Sequence, residues 1–73
     1  MIPKLVAEYE GDDGREAVIS IIDEQLSMNR YLYEVLFAQD TKIIGKHIAH
    51  AEWYAQHLAK RWVTEGELSN GIK

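Results

Sequence analysis

Apolar residues in the middle of the chain recur at intervals of three and four. From Arg15 to Ala38 there is no glycine or proline. In that stretch Val18, Ile19, Ile22, Leu26, Tyr33, Leu36 and Phe37 share one side of a helix at about 100° per residue. The pattern predicts a helix A over residues 15–39. Asp13 is placed to cap its first free N–H groups, with Glu16 reaching back as a capping box. The next break is Gln39-Asp40-Thr41, where Asp40 or Thr41 caps a second helix. Helix B is predicted over residues 42–65, on a seam of Ile44, Ile48, Ala51, Ala55, Leu58 and Trp62, with Gly66 as its stop. Residues 66–73 form a frayed tail. Residues 1–14 make an arm and a capping loop. In the arm Leu5, Ala7 and Tyr9 alternate with charged neighbours, as an extended segment does, and GDDG at 11–14 breaks the chain.

These elements predict one all-α domain over residues 1–73, an antiparallel helical hairpin of two long helices with a short N-terminal arm. The apolar phase of helix A continues into helix B, so one long helix is the alternative. It would set Asp40 on the apolar face, which is costly for an unpaired carboxylate, and the hairpin is preferred. Folding about Asp40 sets Leu36 against Ile44, Tyr33 against Ile48 and Val18 against Trp62. It leaves a second apolar band on helix A: Ile21, Met28, Leu32 and Val35. Exposed apolar surface of that extent marks an interface. A two-fold homodimer covers it by closing a four-helix bundle. Asn29 lies within this interface stripe, where a polar residue sets register and partner number, or else at its rim.

Composition narrows what such a bundle can do. The chain has 73 residues and no cysteine, which excludes disulfides, thiolate zinc sites and cysteine catalysis. A staple for so short a chain is then a histidine-held metal or a second subunit. Twelve acidic against eight basic residues give a net charge of −4 with neutral histidines. That balance argues against nucleic acid as the main partner, because phosphate binding needs a positive footprint. No apolar run approaches the roughly 20 residues needed to span a bilayer. The opening MIPKLVAEYE lacks a signal peptide's apolar core. A cytoplasmic protein with no membrane partner is expected.

The three histidines, His47, His50 and His57, lie with Tyr54 and Arg61 on one stripe of the predicted helix B. His47 and His50 have only the weaker i, i+3 ligand spacing. His57 is about 10 Å further along a helix and faces Asp23 and Glu24 in the hairpin. The stripe is read as a half-buried boundary rather than a metal site, and no metal or other cofactor is expected. Neither a nucleophile elbow nor a phosphate-binding loop surrounds any serine or threonine, so no catalytic residue is assigned and an enzyme is not expected.

Folding leaves two features unused. Trp53 points away from the seam, as an interface anchor does. Glu8, Glu10, Asp12 and Asp13 form an acidic group that suits a basic partner surface. The expected function is therefore a small non-enzymatic helical module, dimeric, that occupies a basic surface of another protein and modulates or inhibits it. That protein could itself be a nucleic-acid-binding regulator. The architecture, a small acidic hairpin that dimerises, is similar to that of phage and plasmid accessory proteins. The alternatives are an RNA- or DNA-associated bundle using Arg30, Lys42, Lys46, Lys60 and Arg61, and a histidine metal-binding protein.

Overall fold

A period of two, not 3.6, organises most of the chain. The structure of the protein is a computed structural model, and it describes the backbone of residues 3–25 and 30–66. Strands β1 (Lys4–Glu10), β2 (Arg15–Gln25), β3 (Arg30–Gln39) and β4 (Lys42–Ala49) pair antiparallel in that order. One helix, α1 (Glu52–Glu65), follows them. The helical hairpin, the four-helix bundle and the architectural likeness drawn from them are therefore incorrect. The described residues of the stretch read as helix A form β2 and β3, and only the second half of the stretch read as helix B is helical.

The misleading pattern has a physical origin. β3 reads Tyr31-Leu32-Tyr33-Glu34-Val35-Leu36-Phe37, apolar on both faces. A strand of that kind loses the clean alternation that marks a half-buried one. Its two faces, projected onto a helix, show as two stripes. Of the supposed second helical band, the described residues Ile21, Leu32 and Val35 sample both sheet faces. The residue types favour strand, since β2 and β3 are rich in valine, isoleucine and tyrosine.

The turns follow the same logic. GDDG closes the β1–β2 hairpin instead of capping a helix. Glu10 pairs with Glu16, and the Gly11 N–H donates to the Arg15 carbonyl at 2.8 Å. Gly14 supplies the positive φ, 90°, of a turn-plus-bulge loop. Asp13 engages the Arg15 guanidinium at 2.8 Å. Asp40 and Thr41, at φ 51° and 68°, form the two-residue turn that closes Gln39 on Lys42. The Asp40 N–H donates to the Gly14 carbonyl at 2.8 Å, which fastens the two turns side by side.

The helix lies on one face of the sheet. Ala17, Ile19, Tyr33, Val35, Phe37 and Ala49 meet Ala55, Leu58, Ala59, Trp62 and Val63 in a single core. The helical set repeats at three and four, the spacing of one buried stripe. Trp62 is the main anchor. Its indole N–H donates to the Ala38 carbonyl at 3.1 Å, its ring meets Phe37 edge-on at 6.2 Å, and the Arg15 guanidinium sits 5.7 Å above it. Gly66, at φ 74°, donates its N–H to the Trp62 carbonyl and ends the helix.

The other face of the sheet carries no element among the described residues. Three register shifts leave Val6, Ile22 and Ile44 as the extra residues of bulges, which strengthen the local twist. No described helix is long and apolar enough to cross a membrane.

Candidate interaction surface

Only His50 and Ala51 separate β4 from α1. So short a link holds the first turn of the helix against the end of its preceding strand. Trp53, Tyr54 and His57 from α1 thereby join His47 from β4. Tyr54 is the centre of this group. Its ring lies 5.5 Å from Trp53 and 5.9 Å from His47, both edge-on, and 6.4 Å from His57, stacked. Tyr54 also packs against the core, so the cluster is footed on the rigid part of the molecule. Trp53 caps it and remains 71% exposed. Beside it Glu52 is exposed and accepts a hydrogen bond from Gln56 Nε2 at 3.0 Å.

Tyr33 lies nearby in the core, with Tyr31 edge-on at 6.3 Å. Burial pushes the Tyr33 phenol above its ordinary pKa, and the Glu52 carboxylate and Tyr31 add to the shift. At neutral pH it is a protonated packing residue. Among the described residues no three His, Asp or Glu side chains converge as a metal site. His57 has Tyr54 as its ring partner and no ion pair with Asp23 or Glu24. What the surface offers is aromatic area beside a carboxylate. Such a surface suits apolar side chains and the cationic heads of Arg or Lys, which the faces of Trp and Tyr attract.

The chain matches no family model, no curated protein and no solved structure.

The sequence-derived contact set divides in space. Trp53 stands at the start of α1. Asp12 and Asp13 are in the β1–β2 turn at the far end of α1, where Glu10, Gly11, Asp12, Arg15, Val63 and Thr64 line a cavity of about 320 Å³. Ten helical steps separate Trp53 from Val63, about 15 Å. Glu8 and Glu10 are exposed on β1, in the sheet rather than beside Trp53. Arg15 belongs to the turn's own structure, held by Asp13, by the Val63 carbonyl at 3.5 Å and by the Trp62 ring.

The predicted dimer residues divide as well. Val35 is fully buried under α1. Ile21 is half-buried on the same face, and Leu32 follows the register of the opposite face. Met28 and Asn29 lie outside the described residues. The sequence reading of Trp53 as exposed agrees with its position. The single helical stripe of His47, His50, Tyr54, His57 and Arg61 does not form: His47 lies on β4, His50 in the link, and only Tyr54, His57 and Arg61 on α1. Sequence reasoning missed that a strand, not a helix, delivers His47, and that Tyr54 gathers the rings. The signal available was the β-branched group Ile43, Ile44 and Ile48, which favours a strand, with Gly45 among them unfavourable to a helix interior.

Proposed function

We propose that the protein is a small non-enzymatic binding module that occupies a basic surface of another protein and modulates or inhibits it. The contact is made by Trp53, Tyr54 and Glu52. A single observation supports this reading most: Trp53 is largely exposed, yet its ring is held edge-on to a Tyr54 that is itself anchored in the core. A tryptophan fixed before binding loses little side-chain entropy on contact, and tryptophans are prominent among interface hot spots. An Arg or Lys of the partner would lie over the indole and reach the Glu52 carboxylate.

The nucleic-acid reading has less support. Lys46 lies 3.9 Å from Glu34 and Arg61 lies 3.5 Å from Glu65, so part of the basic set is committed to carboxylates. Affinity capture from the native host, run with the natural chain, Trp53→Ala and Asp12→Asn side by side, tests the proposal. The expected result is a protein held by the natural chain and Asp12→Asn but lost by Trp53→Ala. Equal retention by Trp53→Ala would place the contact elsewhere.

A further inference from the structure

The face of the sheet away from α1 has a regular order. Directly opposed residues in an antiparallel sheet point to the same side, so the register can be followed across all four strands. One row runs Glu8, Val18, Leu36, Lys46 from β1 to β4. The next runs Leu5, Ser20, Glu34, Ile48. The first row is acidic at one edge, apolar in the middle and basic at the other edge. It is complementary to its own reversal.

We propose that this face binds a second copy of the chain, about a two-fold axis parallel to the strands and passing between β2 and β3. The two sheets would then stack face to face in the aligned arrangement, about 10 Å apart. The operation lays β1 of each copy over β4 of the other. Glu8 falls opposite Lys46 of the second copy, and Val18 falls opposite its Leu36. In the second row Leu5 falls opposite Ile48, and the Ser20 hydroxyl falls opposite the Glu34 carboxylate. Leu5 and Ile48, 58% and 39% exposed in the single chain, gain apolar cover. Each contact occurs twice, as two-fold symmetry requires.

The other aligned choice, an axis across the strands, lays β1 on β1, so that Glu8 faces Glu8, Glu10 or Leu5 of the second copy and never a lysine. Charge therefore selects the axis. The row nearest the turns, Glu10, Glu16, Ala38, Ile43, lacks this complementarity. The pairing centres on the two rows above, with the sheet twist opening the turn end. Lys46 already lies 3.9 Å from Glu34 of its own strand pair. In the dimer it stands between Glu34 and Glu8 of the second copy. A chain of 73 residues without cysteine is also of the size that commonly needs a second subunit to complete its core.

The symmetry gives a test by mixing. Glu8→Lys places lysine at both ends of the first row, and Lys46→Glu places glutamate at both ends. Each variant opposes like charges twice in its own dimer, whereas one chain of each restores both pairs. The natural chain is expected to sediment as a dimer at micromolar concentrations. Each variant alone should dissociate with a Kd raised roughly tenfold or more, and an equimolar mixture should recover the dimer. Both positions are exposed, and an unchanged circular dichroism spectrum verifies the fold. A natural chain that is monomeric at high micromolar concentration overturns the proposal. So do variants that dimerise like the natural chain, or a mixture that stays dissociated.

Discussion

Thr41 is held at a φ of 68° in the two-residue turn between β3 and β4, a conformation that a β-branched residue rarely adopts. Its hydroxyl donates to the Asp40 carbonyl, a local bond that offsets part of the strain. The Asp-Gly pair is a strong preference for such a turn. Thr41→Gly should therefore stabilise the protein by about 1 kcal/mol. For a chain of this length that corresponds to a rise in Tm of about 4–8 °C, measurable by thermal melting. A lowered Tm would show that the hydroxyl bond outweighs the strain. Tyr33 gives a second residue-scale prediction. Its folded pKa lies above the ordinary phenol value of about 10. Its contribution to stability is complete below that unfolded value and is lost as pH rises through the higher folded value. Denaturation midpoints should fall through this alkaline window, and Tyr33→Phe should flatten that part of the profile. An unchanged slope in the variant would assign the pH dependence to other groups.

The helix is joined to the sheet by a few large contacts. Trp62 unites the indole bond to Ala38, the edge contact with Phe37 and the cover over Arg15. Trp62→Ala should cost about 3–5 kcal/mol, enough to unfold much of a chain with ordinary stability. A cooperative denaturation midpoint near that of the natural protein would contradict this. At this scale the sequence was only partly readable. Gly66 and the stripe Ala55, Leu58, Trp62 marked the end and buried face of α1 because helical signals there are unopposed. The weak alternation of Leu5, Ala7 and Tyr9 marked an extended segment, which is β1. β2 and β3 were not legible as strands, because apolar residues on both faces fit a period of 3.6 as readily as two. Asp13 followed by Glu16 imitates a helix cap, and only the pairing of Glu10 with Glu16 separates the two readings. The exposure of Trp53 could be read from sequence, but the cluster behind it, in which Tyr54 meets Trp53, His47 and His57, depends on bringing β4 beside α1.

Across the whole molecule, the two unclaimed surfaces are independent. The ring cluster belongs to the helical layer, and the Glu8–Lys46 row belongs to the opposite side of the sheet. Trp53→Ala should change stability by no more than about 0.5 kcal/mol while abolishing partner capture and sparing self-association. A large loss of stability would make Trp53 a structural residue. The strand order also bears on how the chain reaches this state. β1, β2, β3 and β4 are neighbours in space in the order in which they occur in sequence. Each pairing therefore closes a short loop, and the entropy of closure grows only slowly with loop length. The helix comes last in chain order and packs chiefly on β2, far from it in sequence. The strand pairings are near in sequence while α1 packs on the distant β2, a mixture that favours folding on a timescale of about milliseconds to a second. Stopped-flow refolding should show that fast step with a rate independent of protein concentration. Joining of two copies would follow as a slower step whose rate rises as the protein is made more concentrated.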